Sequence, residues 1–216
     1  MAEITSLSSP EVLHIQGDNR RIYFGANQTW YKDRFQRLAG CGPTTCSNIL
    51  WYLSNTQKGM KNLAPYDGKQ QKGFLSLMEE VWQYVTPGQM GVNNTDIFSD
   101  GAVRYAQKQG FLLHTQVLPV PLRLSKRPSV EKMAQFVTQA LQKDLPVAFL
   151  NLSNGQVKNL DSWHWVTLVA FDRANCIATM YDQGLKQGID LKLWLETTIA
   201  GGGMVVLAPQ EGGMDA

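Results

Sequence analysis

Little in this sequence marks a compartment, a cofactor or a membrane. Only three cysteines occur among the 216 residues, Cys41, Cys46 and Cys176, and none belongs to a CxxC pair. An odd count without paired spacing argues against a disulfide framework and against structural zinc, so free thiols and no cofactor are expected. Cys41 and Cys46 with His14 or His114 match no common metal-ligand spacing. The longest apolar runs, such as VTLVAF at 166–171, fall far short of the ~20 residues that span a bilayer. The opening MAEITSLSSPEVLHIQ has neither a basic start nor a continuous apolar segment, so no secretory signal is read and a cytoplasmic location is the expectation. Charge of one sign is also missing. The formal net charge is +2 and no Lys/Arg cluster exceeds two residues, so nucleic acid is not an expected partner.

What is present suits a globular protein. Apolar residues make up 44% and charged residues 18%, and the length is enough to bury a core. Residues 12–25 predict two short strands around the turn GDN. Helices are predicted over 44–55, 73–85, 94–110 and 129–144, and again over 191–200. Thr95 is the expected cap of the third, and Gly110 its stop. The helix over 129–144 has the clearest apolar face, with Met133, Phe136, Val137, Ala140 and Leu141 at helical spacing. Strands are predicted at 111–120, 146–152, 164–172, 176–182 and 203–209, and 61–71 reads as loop. Helices followed by mostly antiparallel strands predict an α+β fold, with helices packed on one side of a sheet. No linker justifies a cut, so 1–209 is read as one domain and 210–216 as a flexible tail.

One short stretch carries chemistry. QRLAGCGPTTCS (36–47) places Cys41, then Gly42 and Pro43, immediately before the predicted helix over 44–55, whose apolar run is NILWYL. A thiol reacts as thiolate, and a helix N-terminus favours negative charge through its unpaired N–H groups and its dipole. Proline suits a helix start, where its missing N–H is not needed. The Cys41 N–H would be free to hold an oxyanion, and Gln36, five residues upstream, could supply a second donor. Cys46 lies about 140° around the helix from Cys41 and is expected in the core. Cys176, at a strand start, is read as structural.

A nucleophilic thiol needs a base. His14 and His114 sit among apolar neighbours in strands and read as structural. His164 opens an apolar strand between Trp163 and Trp165, after the polar loop NGQVKNLDS, where it is rigid yet reachable. An antiparallel return through FDRANC brings Asp182 back beside it. Parity then matters, because side chains alternate faces. A three-residue loop, Arg173-Ala174-Asn175, pairs Asp172 with Cys176 and sets Asp182 against Val166, diagonal to His164. A two- or four-residue loop turns Asp182 away. Asp161, three residues before His164, is the fallback, in a loop where a turn role is the plainer reading.

Gln–x4–Cys-Gly-Pro, then His-Trp-Val opening a strand, then Tyr-Asp-Gln-Gly at the next strand's end resembles the papain-like cysteine peptidases. The likeness is greatest to the branch related to the double-glycine leader peptidases of bacteriocin exporters. In that branch the nucleophile lies in a Cys-Gly-Pro or Cys-Gly-Ala motif, and an aspartate follows the histidine by about 15 to 20 residues; here the interval is 18. The resemblance implies a papain-like fold, a peptide or protein substrate, and a site of Cys41 as nucleophile, His164 as general base and acid, Asp182 as its orienter and Gln36 as oxyanion donor. The family's glutamine usually stands six residues before the cysteine, and Gln28 in GANQTWY is a substitute. Trp163, Trp165 and Trp30, with Gly40 and Gly42 flanking the sulfur, are candidates to line the substrate cleft. Acyl or γ-glutamyl transfer on the same three residues, or an inactive peptide-binding relative, are the alternatives. GGG at 201–203 and GG at 212–213 invite a self-processing reading, because relatives cut after paired glycines; a turn and a tail explain them more simply.

Overall fold

The computed structural model describes residues 4–18 and 20–210. The tail beyond 210, including its Gly-Gly pair, lies outside the described residues. In chain order the elements are β1 (Ile4–Ser6), β2 (His14–Gln16), β3 (Ile22–Phe24), α1 (Arg34–Ala39), α2 (Cys41–Thr56), α3 (Gln71–Trp82), α4 (Thr95–Lys108), β4 (Leu113–Val120), α5 (Val130–Gln142), β5 (Val147–Asn151), β6 (His164–Asp172), β7 (Ile177–Asp182), β8 (Leu185–Asp190), α6 (Leu191–Thr197) and β9 (Gly202–Pro209). No helix among the described residues is long and apolar enough to cross a membrane.

The strands form an antiparallel sheet in the order β4-β9-β5-β6-β7-β8, and β1 pairs with the end of β6. β2 and β3 form a separate hairpin. The mixed helical and antiparallel character agrees with the sequence reading, but the helices do not share one face. Asn48 of α2 reaches Thr167, and Phe98 of α4 stacks on Trp165 at 4.4 Å, so both helices cover the face that carries those β6 side chains. Trp194 of α6 packs edge-on against Phe149 at 4.6 Å and bonds Asn151. Phe149 and Asn151 oppose Val166 and His164, residues of the other parity, so α6 lies on the opposite face. Sequence periodicity identifies an amphipathic helix but not which side of a sheet receives it.

The local signals explain most boundaries. Ser129 caps α5 by accepting the Lys132 N–H at 3.1 Å, and Met133, Val137 and Leu141 are buried. For α4 the cap is Asn94 rather than Thr95, with its Oδ1 accepting the Ile97 N–H at 2.8 Å. Three elements were not expected: β1, α1 and β8. Helix α1 forms because Asp33 accepts the N–H groups of Phe35 and Gln36, giving a short run an N-terminal cap. Strand β8 follows a tight turn at Gln183 and Gly184, both with positive φ (47° and 74°), the combination a two-residue hairpin loop demands. Gly202 and Gly203 open β9 directly after Gly201, and the triplet is largely covered, with Gly203 opposite both Leu150 and Pro119.

Candidate active site

Cys41 is the first residue of α2, so the helix begins three residues earlier than the predicted start at Thr44. Pro43 is tolerated in the first turn because those N–H groups have no partner within the helix. The cap position is Gly40, which has no side chain to take up a first-turn N–H. The first hydrogen bond of the turn runs from Thr44 N–H to the Gly40 carbonyl at 2.9 Å. The thiol thus sits at the positive end of a 16-residue helix.

The flanking glycines are packing residues rather than cleft walls. A Cβ at Gly40 would stand 2.6 Å from the Tyr31 ring, and one at Gly42 would stand 2.8 Å from Val92. Both positions let neighbouring groups close on the helix end. Neither glycine lines a cavity that contains Cys41.

His164 opens β6 as expected and is only 6% exposed. Its Nε2 lies 2.7 Å from Asp182 Oδ1 at the end of β7. That contact leaves Nδ1 as the ring nitrogen free to face Cys41, which lines the same small cavity as the imidazole. Burial by itself would lower the His164 pKa. Hydrogen bonds to Asp182 and Cys41, and the charges of both partners, outweigh burial and raise it above the ordinary 6.5. The three side chains named from the sequence therefore line one small cavity, with the carboxylate bonded to the imidazole.

The other thiols and imidazoles are elsewhere. Cys46 is fully buried, and burial pushes its pKa up. Cys176 sits in the β6–β7 loop, where burial also raises its pKa. His14 stands edge-on to Phe24 at 4.8 Å, with its pKa lowered by burial, and His114 is exposed on β4. Asp161 lies in the loop before His164 and accepts from Gln183 Nε2 at 3.4 Å. Among the described residues, no group of three His, Cys, Asp or Glu side chains could hold a metal ion.

Cys41 borders two cavities. The larger, about 430 Å³, is walled by Phe35, Leu38, Met90, Val92, Leu152 and Trp163, among others, with Gln89 as its single polar side chain. Phe35, Leu38, Met90 and Trp163 are 48–71% exposed, so the sulfur is reached from solvent across an apolar surface. The smaller cavity is polar and includes Gln28, Thr44, Asn48, His164 and Asp182.

Two sequence expectations change here. Gln36 lies on α1 and lines neither cavity. The glutamine that does is Gln28, whose Nε2 donates to the Arg37 carbonyl at 2.8 Å. Gln36 lies within α1, where its backbone N–H is taken up by the Asp33 cap. Trp165 is 1% exposed, stacked on Phe98, with its Nε1–H donating to the Val92 carbonyl at 2.6 Å, so it is a core residue. Trp163 is half-exposed and holds a φ of 58°, an uncommon conformation for an aromatic residue. Trp30 packs edge-on against Tyr23 at 5.2 Å, away from both cavities.

Sequence reasoning missed Leu38, Met90 and Asn48. The first two sit on segments with no periodic signal. Asn48 had one: it is a polar residue two helical turns after Cys41, inside an otherwise apolar run.

No protein-family model matches the chain, and no curated protein is significantly similar to it in sequence. Among solved structures, it is similar to the avirulence protein AvrPphB of Pseudomonas, at 11% identity and a TM-score of 0.35, over 78% of this chain and 90% of that one. It is also similar to xylellain, a cysteine protease from Xylella fastidiosa, at 12% identity and a TM-score of 0.34, over 96% of this chain and 86% of that one. Overlap at this level does not establish a shared fold.

Proposed function

We propose that this chain is a cysteine peptidase of papain-like type, acting on peptide or protein substrates through Cys41, His164 and Asp182. The observation that carries the reading is one cluster of three groups: a thiol on a helix N-terminus, an imidazole lining the same cavity, and a carboxylate 2.7 Å from the imidazole Nε2. The raised His164 pKa favours imidazolium, the proton donor that the leaving nitrogen needs.

In the proposed reaction the Cys41 sulfur attacks the substrate carbonyl carbon. A C–S bond forms and the carbonyl π pair moves to oxygen. The Cys41 N–H and the Gln28 side-chain amide donate to that oxyanion. His164 then delivers its Nδ1 proton to the leaving nitrogen as the C–N bond breaks, which leaves a thioester. Nδ1 next takes a proton from water, the water oxygen attacks the thioester carbon, and the C–S bond breaks to release the acid and the Cys41 thiolate beside the His164 imidazolium. Asp182 holds Nε2–H throughout, fixing the ring so that Nδ1 faces the sulfur. The apolar cavity beside Cys41 suits a large apolar side chain on the acyl portion of the substrate.

The test is alkylation by iodoacetamide at pH 6, together with cleavage of a peptide library. Labelling and cleavage that disappear in Cys41→Ala and survive in Cys46→Ala support the reading. Equal labelling of all three cysteines, or cleavage that survives Cys41→Ala, overturns it. Adding an amine acceptor to the same assay separates hydrolysis from acyl transfer, because only transfer yields a new amide.

A further inference from the structure

A buried amide ties together the three segments that meet at the candidate site. Asn48 lies on α2 seven residues after Cys41, two turns along nearly the same face, and is 2% exposed. Its Nδ2 donates to Thr167 Oγ1 on β6 at 3.1 Å. Its Oδ1 accepts the Ala26 N–H at 3.0 Å, from the segment that leads into Gln28. Thr167 is fully buried and lies three residues after His164. The amide thus contacts the helix of the thiol, the strand of the imidazole and the segment of the glutamine. It also lines the small polar cavity that contains all three.

We infer that Asn48 is a positioning residue, which sets the register of α2 against β6 and of the Ala26–Gln28 segment against both. The inference rests on the peptidase reading. Apolar contact between helix and strand is tolerant of sliding, because hydrocarbon attracts without direction. A hydrogen bond is directional and is lost when stretched to about 3.6 Å or bent well below about 120°, and a register slip exceeds those limits, so one buried amide bonded in two directions selects a single register. Reacting groups depend on such selection: a displacement of about 1 Å, even when caused far from the chemistry, can cost about 10²-fold in rate.

The test uses the full chain and three variants. Thr167→Val removes one partner hydroxyl with little change of shape, Thr167→Ser retains it, and Asn48→Leu removes the amide. Two quantities are read for each: the pH profile of Cys41 alkylation and the titration of His164 by NMR. Circular dichroism and cooperative melting report the fold. The expected result is a tenfold or greater loss of alkylation at pH 6 and a lowered His164 titration midpoint in Thr167→Val and Asn48→Leu, with recovery in Thr167→Ser. Should Asn48→Leu fail to fold, the valine and serine pair still decides. Folded Thr167→Val with both profiles unchanged overturns the inference, even where its melting temperature drops, because a merely structural amide predicts that outcome. The two readings fail separately. A wild-type thiol without low-pH reactivity, joined to a His164 midpoint that moves in Thr167→Val, removes the peptidase reading and keeps the tether. A reactive wild type whose profiles ignore the variants does the reverse. An unreactive thiol together with an unmoved midpoint removes both.

Discussion

His164 meets Asp182 at 2.7 Å across two strands whose connecting loop, taken alone, would have turned the aspartate away. Asp172 pairs with Ile177, so the loop holds four residues and the register begins at the wrong parity. Between Ala170 and Leu168 the register shifts by one: Ala170 opposes Thr179, but Leu168 opposes Met180 and Thr167 opposes Tyr181. Val169 is the extra residue of this bulge. Carried one step further, the corrected register sets Asp182 against Val166, on the face of His164.

Deleting Val169 should remove the bulge yet leave Val166 against Asp182, so the His164–Asp182 contact should survive. We expect low-pH Cys41 alkylation and cleavage to persist in a chain that still melts cooperatively. Inserting one alanine between Trp165 and Val166 should instead turn His164 to the other face and abolish both. A folded insertion variant that remains fully active would sink the register argument.

The raised His164 pKa has a signed consequence for stability. Folding favours the imidazolium, so this contribution is complete below the ordinary 6.5 and is lost as pH rises through the raised folded value. Asp182→Asn removes the carboxylate that sustains it. The melting-temperature gap between wild type and Asp182→Asn should be widest below pH 6.5 and narrow as pH climbs. A gap constant with pH would mean that the pair does not hold a proton in the folded state.

The two glutamines should separate cleanly. Gln28 lines the polar cavity beside Cys41 and Gln36 does not. Gln28→Ala should lower kcat by about 10²–10³-fold with little change in KM, the loss typical of one oxyanion donor. Gln36→Ala should stay near wild type. The opposite ranking would return the donor role to Gln36.

The apolar cavity sets an expectation about substrates. A pocket of about 430 Å³ walled by Leu38, Met90 and Trp163 gains nothing from glycine. Peptides with a large apolar residue on the acyl side should be cut at least tenfold better in kcat/KM than Gly-Gly peptides, because each buried methylene contributes about 1 kcal/mol. Met90→Asp should erase most of that preference through KM. Faster cleavage of Gly-Gly peptides would show that this cavity does not take the substrate.

Much of the candidate site was legible because its groups announce themselves by type. Cys-Gly-Pro ahead of an apolar run is a local pattern, and a histidine opening a nine-residue strand is another. What stayed hidden depended on contacts distant in sequence. Trp165 and Trp163 flank the same histidine with equal claims, yet strand alternation and the Phe98 ring put one in the core and the other at the surface. Gln36 stands nearer to Cys41 in sequence, yet the small cavity beside the thiol is lined by Gln28.

By itself the sequence determined where a thiol meets a helix start, which imidazole opens a strand, and which carboxylate returns at the next strand's end. These follow from periodicity, turn residues and helix-start chemistry, which act over a few residues. Only the tertiary structure decided that a bulge at Val169 corrects the parity, that Gln28 rather than Gln36 borders the sulfur, and that Asn48 bonds across to Thr167. Those outcomes turn on cross-strand register and helix-on-sheet packing. The residues involved stand up to 119 positions apart, and no local preference fixes which of several near-equal alignments satisfies all of them together.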